Sequence, residues 1–249
     1  MNAVSPEVLR TLAQYDSPTI CNVIEQCGFR PRNSGYMNER IRAIYPELPA
    51  MVGHAVTATF RSCTQAGPDE RSLGLIEQIA AWQEVPEPRV MVIQDLDDPP
   101  DGAVYGEIVA TVCQAFGCVG LVTNGYARDI LQVRALNFPC FAAGVCVSHS
   151  YCRVLSIGEP VTIGGVRVRS GDLLHGDANG VTTIPFQIAH QVAGACAEFV
   201  EAENVLIAAA KARPLSLDSY RAAAAEFAKR IDAISKRLSG QAADQKVGV

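Results

Sequence analysis

The sequence predicts an α/β layered fold, and three observations carry that prediction. An apolar run at 89–93 leads to a helical pattern at 107–116, and a second run at 118–123 leads to another at 127–136. Strand-then-helix alternation of this kind lays helices on a sheet. After residue 138 the texture changes to short β-branched runs. These are cut by Gly164-Gly165, Ser170-Gly171 and Asn179-Gly180, pairs in which glycine turns the chain at positive φ.

Taken in order, Asp16-Ser17-Pro18 is a helix entry, with Pro in the first turn, and a helix is expected over 19–24. Residues 53–60 have the β-branched character of a strand. Leu73, Leu75, Ile76, Ile79 and Ala80 have helical spacing over 72–82. The strand at 89–93 ends in a loop, 94–102, rich in Asp and Pro, and prolines there stop a regular element. Short strands are expected at 138–147, 159–163, 166–168, 172–174 and 181–184, forming a β-rich layer packed on the first half as one domain, 1–185.

A helical extension, 186–240, then carries two apolar stripes. Val192, Ala195, Phe199, Ala202, Leu206 and Ala209 mark a helix over 187–211. Tyr220, Ala224, Phe227, Ile231, Ile234 and Leu238 mark one over 217–238, with Gly240 as its stop. The second stripe suits packing on its own domain or a seam against a neighbouring subunit. Residues 241–249 are expected to be a disordered tail.

With 249 residues, 49 % apolar, the chain can bury a full core, and 19 % charge is too little for a disordered protein. A net charge of −5 argues against nucleic acid or an anionic membrane as partner. No run approaches the roughly eighteen apolar residues of a membrane span, and residues 1–16 have no signal core, so a cytoplasmic location is expected. Nine cysteines without a CxxC pair read as reduced thiols. Cys140, Cys146 and Cys152 recur every six residues but lack a histidine at zinc-finger spacing.

The densest set of chemical groups is Gly106-Glu107, then twenty residues, then Arg128-Asp129 after Asn124-Gly125-Tyr126-Ala127. Alone, Asp129 would be a helix cap and Arg128 a solvated arginine. Both follow an apolar strand, however, and strand carboxyl ends are where α/β layers place ligand sites. Carboxylate oxygens there suit Mg²⁺ or Mn²⁺. Gly106-Glu107 opens a helix, so the amides of Glu107, Ile108 and Val109 are unpaired donors for a carboxylate. Asp95, Asp97, Asp98 and Asp101 read as a solvated loop without calcium-loop spacing, Asp101 being a secondary candidate. His54 in a strand, His149, His175 in a turn and His190 on a helix read as structural. No G-x-S-x-G, Walker A or G-x-G-x-x-G sequence is present.

These motifs, with Cys118 to Gly125, Phe138-Pro139-Cys140-Phe141, Pro160 to Val166, Ser170-Gly171-Asp172 and Gly180 to Pro185, resemble the RraA-like family. That family includes metal-dependent 4-hydroxy-4-methyl-2-oxoglutarate aldolases and regulators of ribonuclease E, and the resemblance runs over 19–203. It implies a swivelling β/β/α sandwich assembled as homotrimers or homohexamers, with sites between subunits. It also implies that Asp129 ligates the cation, that Glu107 acts through water, and that Glu203 reaches a neighbour's site, also through water. Arg128 would clamp the substrate carboxylate and enolate, while Gly106 and the amides of Ile108 and Val109 would bind a pyruvyl carboxylate. Gln132, Asn22 and Asn179 stand where the aldolase pattern has acidic residues.

The chemistry implied is metal-dependent (class II) cleavage of a 4-hydroxy-2-oxo acid to pyruvate, or decarboxylation of oxaloacetate. Both pass through a pyruvate enolate, which a divalent cation and a bidentate arginine stabilise. No lysine sits in a recognisable Schiff-base context. The alternative is a non-catalytic regulator that binds a ribonuclease or another protein.

Overall fold

The computed structural model describes residues 4–246 apart from 69 and 71, with side chains described through residue 240. The chain opens with two helices, α1 (Pro6–Leu12) and α2 (Ser17–Gln26). Each begins with a Pro in its first turn and a side-chain cap, Ser5 on the amide of Val8 and Asp16 on that of Thr19. The α2 cap is the entry expected from Asp16-Ser17-Pro18.

The remaining elements are β1 (Arg42–Ala43), β2 (Met51–Arg61), α3 (Leu75–Trp82), β3 (Arg89–Asp95), β4 (Ala103–Tyr105), α4 (Glu107–Ala115), β5 (Cys118–Thr123) and β6 (Tyr126–Ala127). They continue with α5 (Ile130–Ala135), β7 (Cys140–Ala142), β8 (Gly144–Val145), β9 (Arg153–Ile157), β10 (Val161–Ile163) and β11 (Val166–Val168). Last come β12 (Leu173–Asp177), β13 (Gly180–Ile184), a 3₁₀ turn Phe186–Ile188, α6 (Ala189–Lys211) and α7 (Leu217–Lys246).

The main sheet has the order β1-β7-β5-β3-β2-β12-β13, with β9 pairing the far half of β2. Its centre, β2, β3, β5 and β7, is parallel, and β12, β13 and β9 join antiparallel. The β-rich second half is therefore not a separate layer. Four of its strands, β7, β9, β12 and β13, complete the first half's sheet, and the β10–β11 hairpin covers one face.

Alternate residues of the central strands face opposite ways, as the two-residue strand period requires. Val90, Val92, Val122 and Phe141 pack with Val161, Ile163, Val166 and Val168 of the hairpin. Met91, Ile93, Leu121 and Cys140 pack with Ala110 and Cys113 of α4 and Val133 of α5. This is the hairpin–sheet–helix layering of the β/β/α expectation.

A third cluster joins α1 and α2 to α6 and α7 through Leu12, Ile20, Val23, Phe199, Ile234 and Leu238, over Val52 and Leu173. The base of the α6–α7 pair thus packs on its own domain. Farther out, Ile207, Leu215, Leu217 and Tyr220 are exposed. The backbone of α7 continues through Gly240 to Lys246, so neither the helix stop at Gly240 nor a disordered tail holds as far as Lys246. Residues 247–249 of that expected tail lie outside the described residues.

Among the described residues, no helix is long and apolar enough to cross a membrane. All nine cysteines are free, in agreement with the reduced reading.

Candidate functional site

Three very short strands set the site. Downstream of β3, β5 and β7 respectively, β4, β6 and β8 pair in parallel, Tyr105 with Ala127 and Ala127 with Val145. The residues after β4 and β6 are thereby held side by side. Gly106-Glu107 follows one strand and Arg128-Asp129 the other, and the amide of Arg128 donates to the carbonyl of Tyr105 at 3.2 Å.

Asp129 precedes α5 but does not cap it. Its backbone is left-handed (φ 54°, ψ 44°), and its side chain makes no cap bond to α5. Instead Oδ2 accepts the amide of Glu107 at 3.0 Å. Asp129 therefore caps α4, its neighbour in space, where the positive end of the helix stabilises a carboxylate. Two expectations are corrected here. Helix α5 begins at Ile130 and not at residue 127, and the amide of Glu107 is not free. The amides of Ile108 and Val109 still lack an intrahelical acceptor, because the first bond of this helix is that of Ala110 to Gly106.

Arg128 Nε lies 3.9 Å from Asp129 Oδ2, and both side chains are partly exposed, at 35 % and 38 %. Gly106 is required by space. A Cβ at this position would stand 2.3 Å from Asp129 Oδ2 and 3.1 Å from Arg128 Nε. The carboxylate of Glu107 is exposed beside them. Ile108, next to Glu107, and Leu131, two residues after Asp129, are apolar and each 77 % exposed.

Two neighbours carry no local sequence signal. Tyr45 is buried with no hydrogen bond to its hydroxyl; burial and the nearby charges of Cys140, Glu47 and Asp129 push its ionisation up. Cys152 is exposed near Arg128, whose charge partly offsets the burial that raises the thiol. Only the fold brings either one to this turn.

Glu203 is not brought to Arg128 and Asp129 within the chain. It lies on α6, its Oε1 3.4 Å from Nδ2 of Asn22 on α2. Burial, and then the charge of Asp16, raise its pKa, against the hydrogen bond from Asn22. Asn22, one of the departures noted above, thus has Glu203 as its partner. Asn179 instead donates to Asp177, whose Oδ2 accepts the amide of Ser17 at 2.8 Å. Gln132 is exposed.

The remaining candidates are structural. Asp101 anchors a loop, its Oδ2 accepting Ser150 Oγ at 2.8 Å. His175 lies on β12 and not in a turn; it is fully buried between Ser17 Oγ (2.9 Å) and the carbonyl of Tyr15 (3.0 Å). His54 is also fully buried.

For a divalent cation, the chain offers Asp129, with Oδ1 beyond the amide contact, and Glu107. No group of three or more His, Cys, Asp or Glu that could hold a metal occurs among the described residues. One or two carboxylates, with substrate and water completing the shell, is the donor set that Mg²⁺ accepts. The residues fit that cation and do not fit a closed zinc cage.

A carboxylate, a guanidinium and helix-start amides meet beyond parallel strand ends of an α/β protein. The chain belongs to the RraA-like family (Aldolase/RraA), whose model matches residues 18–183. It is 37 % identical over 99 residues to a protein of Halalkalibacterium halodurans named "Putative 4-hydroxy-4-methyl-2-oxoglutarate aldolase". That match covers 39 % of this chain and 47 % of the relative. Protein DlpA of Legionella pneumophila is 27 % identical over 185 residues, 72 % of this chain and 28 % of that protein. The chain spans about half or less of the length of these curated relatives.

Among solved structures, an uncharacterized protein from Pseudomonas syringae pv. tomato has a TM-score of 0.70 at 23 % identity. It covers 88 % of this chain and 95 % of its own. Streptomyces coelicolor RraAS2, described as an unusual member of the RNase ES inhibitor RraA protein family, has a TM-score of 0.66 at 21 % identity. It covers 82 % of this chain and 97 % of its own. Both share the fold.

Proposed function

We propose that this protein is a divalent-metal-dependent lyase that cleaves a 4-hydroxy-2-oxo acid to pyruvate and also decarboxylates oxaloacetate. The observation that carries the reading is the bond from the Glu107 amide to Asp129 Oδ2 with Arg128 alongside. It puts one carboxylate and one guanidinium at the start of the helix that carries the amides of Ile108 and Val109. The naming of two relatives as aldolases supports the same chemistry.

In this reading Asp129 would hold Mg²⁺ or Mn²⁺ directly and Glu107 would hold it through water. Such a cation would supply Lewis-acid stabilisation to the developing enolate oxygen. Arg128 donates to the same oxygen and to the 1-carboxylate, as a permanently charged fork that lysine does not reproduce. A donor aimed at charge that develops in the transition state contributes about 3–4 kcal/mol. The amides of Ile108 and Val109 orient the carboxylate at the positive end of α4. In this reading Glu107 would take the 4-hydroxyl proton through water and return it to the enolate carbon.

We further propose a cytoplasmic homotrimer or homohexamer in which Glu203 of one subunit completes the site of the next, again through water. The exposed apolar side chains of Ile108 and Leu131, close in sequence to Glu107 and Asp129, support such a covered setting.

Pyruvate release tests the reading. The purified protein is given oxaloacetate and several 4-hydroxy-2-oxo acids, with Mg²⁺, Mn²⁺ or EDTA, and lactate dehydrogenase reports pyruvate. Release that needs metal and is lost in Arg128→Ala and Asp129→Ala supports it. No release from any substrate, or release indifferent to EDTA, overturns it and leaves the regulator that binds another protein.

A further inference from the structure

Most arginines of this chain have a carboxylate partner, such as Arg32 with Glu25, Arg61 with Asp97, Arg134 with Glu47 and Arg230 with Glu226. Arg167 and Arg169 do not, and unlike Arg10 and Arg40, which also have none among the described residues, they stand side by side on one cleft. Among the described residues, neither guanidinium has a hydrogen bond or an ion pair, although the chain carries more acidic than basic groups. Arg167 on β11 and Arg169 just past its end alternate with buried Val166 and Val168, and both are exposed. Two residues apart in sequence, their stems are at most about 7 Å apart, so one compact anion can reach both.

The two arginines line a cleft of about 430 Å³ between the hairpin and the end of β13. Its one lining carboxylate, Asp172, is already engaged, with Oδ2 accepting the amide of Arg169 at 2.8 Å. Gln187 adds a neutral polar group, and Phe186, 39 % exposed, adds an apolar wall. Two free forks, a neutral donor and an apolar side suit a compact ligand with negative charge at two points. None of these residues belongs to the Arg128–Asp129 site.

We propose that this cleft binds a small organic dianion, one charged end on Arg167 and the other on Arg169. The charge can come from two carboxylates or from phosphate groups, and both are recognised by the same bidentate geometry.

Titration calorimetry at low salt tests this with succinate and with inorganic pyrophosphate on the full chain. The expected result is saturable binding of one or both probes at one site per chain. Affinity falls at least about tenfold in the Arg167→Gln/Arg169→Gln double variant. An Arg10→Gln/Arg40→Gln control, which removes the same charge from exposed positions elsewhere, keeps wild-type affinity. The stronger probe identifies the ligand as a dicarboxylate or a phosphate compound. Both arginines are exposed, so the double variant keeps its circular dichroism spectrum and melting temperature. Absence of saturable binding by either probe, or equal weakening in the control, overturns the proposal.

Discussion

The carboxylate of Asp129 accepts the backbone amide of Glu107 at 3.0 Å, so the residue that precedes one helix caps the helix beside it. This bond ties together two chain segments that the short strands β4 and β6 only bring alongside. It also holds one carboxylate oxygen, Oδ2, on a backbone amide.

Gly106→Ala tests that dependence. The added methyl would meet Asp129 Oδ2 at 2.3 Å and displace it. The expected result is a folded protein with weaker Mn²⁺ binding by paramagnetic resonance. Any lyase rate should fall by about 100-fold, the cost of roughly an ångström of misplacement. Wild-type Mn²⁺ affinity in this variant would refute the cradle.

Asp129→Asn keeps an oxygen for the Glu107 amide and removes the charge. Thermal stability should stay within about 1 kcal/mol of wild type, while Mn²⁺ affinity drops at least about tenfold. A large stability loss with unchanged affinity would make Asp129 a cap and nothing more.

The Ser17–His175 contact predicts a pH-dependent stability. Burial depresses the His175 pKa, so the folded state disfavours a proton that the unfolded chain accepts. Its contribution to stability is therefore present above the ordinary histidine value, about 6.5, and is lost as pH falls below it. Chemical denaturation from about pH 7 to pH 5 should show this slope, and His175→Gln should flatten it. Ser17→Ala leaves a buried ring nitrogen unpaired and should cost about 1–3 kcal/mol.

Glu203 has the opposite sign. Its pKa is raised, first by burial and then by Asp16, so its favourable contribution is present below the ordinary glutamate value and lost as pH rises through the shifted one. Glu203→Gln should raise the melting temperature of the isolated protein near neutral pH and have no effect near pH 4. If Glu203 also serves a neighbouring subunit's site, the same variant lowers pyruvate release while stabilising the chain.

Leu238 and Leu217 divide α7 into anchored and free parts. Leu238 is fully buried, and Leu238→Ala should cost about 2–5 kcal/mol. Leu217 is 64 % exposed, and Leu217→Ala should stay within about 0.5 kcal/mol in a monomeric preparation. A larger loss that depends on protein concentration would reveal a partner on that end.

How much of this was legible in the sequence follows from element length. The strand at 118–123 and that at 166–168 match β5 and β11 residue for residue, because turn residues bracket each run. Strands β4, β6 and β8 are two or three residues long, too short to show a period, so residue 127 read as the start of a helix. The left-handed backbone of Asp129 follows from those pairings and has no local signature. Gly240 misled for another reason. A glycine inside a helix costs about 1 kcal/mol, and the many bonds of the 30-residue α7 absorb it. At the site, Arg128-Asp129 and Gly106-Glu107 were readable as motifs, whereas Tyr45 and Cys152 arrive from distant segments.

The long strand β2 has a consequence for how such a chain can change. It pairs with β3 along one edge, and with β12 and then β9 along the other. Deleting one residue near its middle would shift three ladders against their neighbours and turn core side chains outward. The same deletion at Gly164-Gly165 would disturb a single hairpin. Length variation should therefore be tolerated in the loops around the sheet and refused in β2, which acts as the common ruler for both halves of the molecule.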